Sequence, residues 1–177
     1  MKGMHVRKTE KKDIPGLLQM IRNSYVPYQE LIGDADIPSY TYDEIVSLLD
    51  DPKSDAWTAE ENGEITGMAA GTEFGPCAYH LKMLFVSGQS QHRGVGSALL
   101  ERFECRGAER HFSLFTANYL EPAKWSWVFY RKHGYREYVP ADDENSPGLK
   151  AQADFLRGIG RLNNGRKHLL WKIIRTQ

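Results

Sequence analysis

The chain has 177 residues, 41% of them hydrophobic and 26% charged, enough for a soluble protein to bury its own apolar core without disulfide or metal staples. Lys+Arg and Asp+Glu number 23 each, so the formal charge is zero, which argues against a general nucleic-acid binder and against action on tRNA or DNA. Two cysteines, Cys77 and Cys105, are too few for a disulfide framework and point to a reducing cytoplasm. No signal-like apolar core opens the chain and no long apolar run interrupts it, so no membrane contact is expected.

In chain order, "MHVRK" reads as a short strand. "KKDIPGLLQMIRNSY" reads as a helix, with Ile14, Leu17, Leu18 and Ile21 on one face and Asp13 placed as its N-cap. "VPYQELIGDADIPSY" is turn-rich and reads as a loop, and "TYDEIVSLLDD" as a short helix with Ile45, Leu48 and Leu49 on one face. "DAWTAEEN" and "EITGMAAGTEF" form a hairpin across Asn62-Gly63, the commonest hairpin turn pair. "AYHLKMLFV" is a third strand, followed by a glycine loop and a helix over 95–106. "HFSLFTAN" is a strand, and "PAKWSWVFYRKH" a helix with Pro122 in its first turn and Gly134 just past its end. "YREYV" and "HLLWKII" are the last strands; the long segment between them carries a further helix in "GLKAQADFLRGIGRL". This order predicts an α/β (α+β) fold, a mixed sheet with helices on both faces.

The stretch "MLFVSGQSQHRGVGSALLERF" carries the chemistry. A helix N-terminus offers unpaired N–H groups and about half a positive charge, and glycines let the backbone approach an anion closely. "QHRGVG" before a helix can therefore hold a phosphate, with Arg93 adding a fixed charge. It is not a Walker A loop, since the Gly-Lys-Ser/Thr ending is missing, nor a G-x-G-x-x-G dinucleotide fingerprint. Two glycines before a helix are also compatible with nothing more than a tight turn.

V-S-G-Q-S-Q-H-R-G-V-G-S-A-L-L resembles the acetyl-CoA loop of the GNAT superfamily of N-acetyltransferases. Gln91, Gly94 and Gly96 match the family pattern Gln/Arg-x-x-Gly-x-Gly/Ala, and Arg93 stands where the family often has Lys or Arg. Gly88 and Ser90 depart from it, standing where many members have Pro and an aromatic. The element order is also the family's own. The resemblance implies a single N-acetyltransferase domain over 1–177, built on a mostly antiparallel, twisted sheet of about seven strands, with 140–165 as an inserted segment. It implies acetyl-CoA as cosubstrate. The pyrophosphate would lie on the backbone of Gln91, His92, Arg93, Gly94, Val95, Gly96 and Ser97. The pantetheine arm would pair with the strand end Leu84, Phe85 and Val86.

"FYRKHGY" resembles the family's Phe-Tyr-x-Lys-x-Gly-Phe/Tyr pattern at Phe129, Tyr130, Lys132, Gly134 and Tyr135. Tyr130 is thereby the candidate acid for the departing CoA thiolate, a phenol of reference pKa about 10 beside a thiol of about 8.5. The competing reading makes it one more aromatic beside Trp125, Trp127 and Phe129. Asn118, closing "LFTAN", stands where the family has a CoA-contacting Asn, although "YLEPA" lengthens the spacing to the tyrosine.

An amine attacks only when neutral, so a proton must leave it. Strand alternation sets Tyr79, Leu81, Met83 and Phe85 on one face and His80, Lys82 and Leu84 on the other. His80 lies eleven residues before Gln91, where the histone-acetylating branch of the family places its glutamate base. His80 or bulk water is then the base. His5, His111, His133 and His168 are scattered, with no Cys, Asp or Glu at metal-ligand spacing, so no metal is expected.

The expected reaction is direct acetyl transfer to a small amine, an amino-acid-like molecule or a peptide. The alternative is a catalytically silent CoA-binding regulatory or scaffolding module. The loop after the first helix offers Tyr25, Tyr28, Glu30, Asp34 and Asp36 to a cationic amine. Segment 140–165 is polar at both ends, but its "DFLRGIGRL" is apolar enough to fold over the acceptor site or a second subunit, and homodimers are common in the family.

Overall fold

A computed structural model of the chain describes residues 3–32, 39–158 and 167–174. Among these, seven strands run β1 (His5–Lys8), β2 (Ser54–Glu61), β3 (Glu64–Phe74), β4 (Ala78–Val86), β5 (Leu114–Leu120), β6 (Arg136–Glu137) and β7 (Lys167–Ile173). The six α-helices are α1 (Ile14–Tyr25), α2 (Gln29–Ile32), α3 (Tyr42–Asp50), α4 (Val95–Glu109), α5 (Lys124–Lys132) and α6 (Pro147–Gly158). The strand order is β1-β2-β3-β4-β5-β7-β6, antiparallel at each described pairing except the parallel β4–β5 pair. The mixed, mostly antiparallel seven-stranded sheet is the one expected.

By contact the chain divides into two compact units, Met1–Thr72 with Lys82–Cys105, and Glu73–Leu81 with Arg106–Gln177. In the first, Asn62 and Gly63 take φ of 55° and 85°, the left-handed pair that a tight hairpin turn requires. Thr41 caps α3: its hydroxyl accepts the Glu44 N–H while the Glu44 carboxylate accepts the Thr41 N–H, a capping box. Ile14, Leu17 and Ile21 of α1 and Ile45 of α3 pack on Met68 and Ala70 of β3 and Met83 and Phe85 of β4, each large aliphatic side chain contributing about 1.5–3 kcal/mol. Gly67, on the other face of β3, meets Val95 and Leu99 of α4. Helices thus cover both faces of this unit's strands.

In the second unit β4 pairs with β5 through Ala78↔Leu114, Tyr79↔Phe115 and His80↔Thr116. β7 lies between β5 and β6, with Asn118 opposite Leu169 and Tyr119 opposite His168. Leu149, Ala153 and Leu156 of α6 pack on Ala78, Leu114 and Leu169. Tyr119 points the other way and stacks on Trp127 of α5, ring centroids 6.1 Å apart. Here too helices lie on both faces.

Several local expectations change. The loop from Val26 is partly helical, as a 3₁₀ turn (Val26–Tyr28) and α2, because Pro27 and the residues after it tolerate helical φ. Asp13 sits at the start of α1 without capping it, since its carboxylate accepts from Arg7 and from the Glu10 N–H. Pro122 precedes α5 rather than lying in its first turn. β6 is only two residues long, followed by a 3₁₀ turn at Pro140–Asn145 and then α6. The last part of the helix expected in "GLKAQADFLRGIGRL", from residue 159, lies outside the described residues, as do Asp34 and Asp36.

Candidate active site

In the first unit β4 ends at Val86 and a 3₁₀ turn (Gly88–Ser90) leads to Gln91. His92 and Gly94 then take φ of 60° and 87°, which turn the chain sharply into α4. Nothing lies within 4 Å of a Cβ built on Gly94, so the loop is open in front of that residue. The Ala98 N–H is bonded to the Gly94 carbonyl. The amides ahead of it have no acceptor within the helix and carry the positive end of its dipole. That is a geometry suited to a phosphate.

Two side chains brace this loop. Gln91 donates from Nε2 to the Val86 carbonyl at 3.3 Å and accepts at Oε1 from the Tyr28 hydroxyl at 2.6 Å. Arg93 is paired with Glu61 at 3.0 Å, its own side chain 56% exposed. Such a surface pair contributes only about 0–1 kcal/mol, so an incoming phosphate can replace it. His92 is exposed, and Val95, with its side chain on Gly67, is buried. Leu84 and Val86 are half-buried, while Phe85 meets Tyr25 and Tyr40 edge-on in the core.

In the second unit His80 and Tyr130 lie on opposite faces of the β4–β5 pair. His80 faces α6: its Nδ1 is 2.7 Å from Nε2 of Gln152 and 3.0 Å from Oγ1 of Thr116. Its Nε2 is 3.5 Å from the amide nitrogen of Asn118. Tyr130 belongs to α5, on the Tyr119 face, and is enclosed by Phe129 and Tyr135 at edge-on geometry. It is 5% exposed, whereas Trp125, Trp127 and Phe129 are only half-buried. Burial pushes the Tyr130 phenol well above its ordinary range, so the hydroxyl keeps its proton throughout physiological pH.

The family model described as "Acetyltransferase (GNAT) domain" matches residues 52–137, from the start of β2 to the end of β6. The chain carries a GNAT acetyltransferase domain. Solved structures agree on the fold. The PaiA N-acetyltransferase of Thermoplasma acidophilum, in complex with coenzyme A, superposes with a TM-score of 0.77 at 14% identity over 98% of this chain and 100% of its own. A GNAT-family acetyltransferase of Staphylococcus aureus gives 0.73 at 15% over 98% and 100%. The ribosomal-protein-S18-alanine N-acetyltransferase of Escherichia coli gives 0.70 at 13% over 99% and 96%. No curated protein matches the sequence significantly.

Within this GNAT domain the structure brings His80 and Asn118 together, with Asn118 directed at the imidazole. The sequence reading missed Thr116 and Gln152. Thr116 could have been found, as it lies two residues before Asn118 on the same strand face. Gln152 left no signal, being 72 residues from His80 on a helix of ordinary amphipathic pattern. Of the acceptor-loop candidates, Tyr28 serves Gln91, Tyr25 packs on Phe85 and Glu30 is exposed. Among the described residues no group of three His, Cys, Asp or Glu side chains could hold a metal, and no helix is long and apolar enough to cross a membrane.

Proposed function

We propose that the 177 residues act as one acetyl-CoA-dependent N-acetyltransferase, which moves an acetyl group to a primary amine by direct transfer within a ternary complex. The carrying observation is the start of α4: left-handed His92 and Gly94, leading amides without helical acceptors, and a loop braced through Gln91. The residues fit a pyrophosphate, and a protein of the same fold has been solved with coenzyme A bound. Acetyl-CoA, when bound, supplies a thioester open to attack by an amine. Backbone from Gln91 to Ser97 would hold its phosphates, and Leu84 to Val86 would pair with the pantetheine arm.

Tyr130 is the acid in this reading. As the amine nitrogen bonds to the acetyl carbon and the C–S bond breaks, the sulfur leaves as a thiolate and takes the Tyr130 proton. Burial makes the phenol a weaker acid than in water. The thiolate is formed out of water as well, and the same desolvation raises its own proton affinity. The acceptor is a small amine, an amino-acid-like molecule or a peptide, and zero net charge argues against a nucleic-acid substrate. Two exposed, unpaired cysteines, Cys77 and Cys105, suit work in the cytoplasm.

The test is thiol release from acetyl-CoA with pooled amines, amino acids and short peptides, beside calorimetric titration with CoA. Turnover with one pool is expected. CoA binding without turnover on any pool would replace the enzyme with a silent CoA-binding module.

A further inference from the structure

Tyr119 and His168 face each other across the β5–β7 ladder, and their rings stack at 4.7 Å and 17°. Trp127 of α5 stacks on Tyr119 as well. These aromatic faces shut water away from the imidazole, whose side chain is only 15% exposed. A ring able to carry charge is thus held in a mostly apolar slot. Its two nitrogens depend on the protein for their partners.

Each nitrogen meets a carboxylate. Nδ1 is 2.6 Å from Oε1 of Glu137 on β6. A carboxylate only accepts, so Nδ1 carries a proton. The other Glu137 oxygen accepts from the Tyr119 hydroxyl at 3.4 Å. Burial, together with the Glu137 charge, pushes that phenol up to about 12, so it remains a donor. Nε2 lies 3.5 Å from Oε2 of Glu121, in the turn between β5 and α5. It is buried and makes no hydrogen bond among the described residues. The neutral ring therefore points a lone pair at an anion. The imidazolium points a proton at the same oxygen, and Glu121, its side chain 54% exposed, can swing in to accept it.

We propose that His168 is a proton-operated clasp: on gaining its second proton the ring bridges Glu137 and Glu121 and fastens the turn ahead of α5 to β6 and β7. The proton comes from water as pH falls and returns to water as pH rises; no other bond forms or breaks. The turn and the start of α5 move together, because the N–H groups of Ala123 and Lys124 are bonded to the Leu120 and Pro122 carbonyls. α5 also carries Tyr130. The titratable and charged groups facing the ring are Glu137 from β6, Glu121 from the turn, Tyr119 from β5 and, 5.8 Å over the Tyr119 ring, Lys124 from α5. On β7 itself Lys172 lies over Tyr135 instead. Among these side chains, imidazole is the one whose charge ordinarily changes between pH 5 and 8. The bridge to Glu121 is therefore made at the acid end of that range and lost at the alkaline end.

Chemical denaturation of wild type, Glu121→Gln, His168→Gln and the double variant, at pH 5.5 and pH 8.5, measures the coupling between the two side chains. The unfolding constants should show a coupling of about fivefold at pH 5.5 and none at pH 8.5. Coupling that is absent at pH 5.5, or as large at pH 8.5, overturns the proposal. Should His168→Gln not fold, wild type against Glu121→Gln carries the test, since that change is at an exposed side chain. The variant should be the less stable protein at pH 5.5 and match wild type at pH 8.5; a difference that ignores pH overturns the clasp. Amide exchange at Ala123 and Lys124 should also be about fivefold faster in Glu121→Gln than in wild type at pH 5.5, and equal exchange there overturns the fastening of α5. The clasp does not depend on acetyl transfer and none of these readouts needs turnover, so a protein inert toward every amine would overturn the acetyltransferase alone.

Discussion

The hydroxyl of Tyr28 donates to Oε1 of Gln91 over 2.6 Å, joining residues 63 positions apart. Gln91 is also tied to the Val86 carbonyl, so the phenol fixes the second corner of the loop that opens α4. Tyr28→Phe keeps the ring and removes one hydrogen bond of about 1 kcal/mol. CoA affinity should fall about fivefold by titration calorimetry, with melting temperature little changed. Unaltered affinity would mean that the loop holds its shape without this contact.

Tyr130→Phe separates acid chemistry from packing, because the ring stays between Phe129 and Tyr135. kcat should drop about a hundredfold with CoA binding intact, and an unchanged kcat would remove Tyr130 from the mechanism. The same variant carries a pH signature. Desolvation raises the folded-state pKa of this phenol, so above about pH 10 the unfolded chain ionises where the folded one does not. The native protein then loses stability as pH rises, a loss the phenylalanine variant lacks. Chemical denaturation at pH 8 and pH 10.5 should show the gap between the two proteins shifting in favour of the variant.

Gly67→Ala tests how closely α4 lies on β3. A Cβ there would come within 2.9 Å of Val95 Cγ1 and Leu99 Cδ1 and 3.0 Å of the Phe85 carbonyl oxygen. Crowding of this kind costs about 1–3 kcal/mol, to be seen as a lower denaturation midpoint. CoA binding should weaken as well, since Val95 is the first residue of α4. A variant as stable as the parent would show that α4 can back away freely.

Asp13 accepts two hydrogen bonds from the Arg7 guanidinium, at 2.7 and 2.9 Å, and one from the Glu10 N–H at 2.8 Å. Arg7 also holds Glu60, so the cluster ties the start of α1 to β1 and β2. The Arg7 hydrogen bonds hold the Asp13 carboxyl below its usual range. Its contribution is therefore complete above about pH 4 and fades as pH falls through the depressed folded value. Asp13→Asn should cost about 2 kcal/mol at pH 7, and the difference from wild type should shrink below pH 4. A constant difference down to pH 2.5 would exclude the ion pair as its source.

Elements with a local cause were legible in the sequence. The Asn62-Gly63 turn needs left-handed φ, α3 starts where Thr41 and Glu44 cap each other, and β4 alternates because successive side chains point to opposite faces. The glycine loop belongs to the same class: Gly94 and the start of α4 are set by a few neighbouring residues. Where the local reading failed, a distant partner had taken the group. Asp13 would cap α1 by its pattern, but Arg7 binds its carboxylate; Tyr28, read as an aromatic of the acceptor loop, donates its hydroxyl to Gln91.

The surroundings of His80 show the limit most clearly. His80 could be singled out by its distance from the loop and by strand alternation. Its partners arrive from β5 through parallel pairing and from α6 through a packed apolar face. Hydrophobic periodicity says which side of a helix is buried, but not which strand it will meet. A glutamine on that side reads as an imperfection until the helix is docked. Type and order of the elements follow from short-range sterics and patterning, which the chain carries locally. The surroundings of Nδ1 of His80 follow from long-range packing, which only the tertiary structure decides.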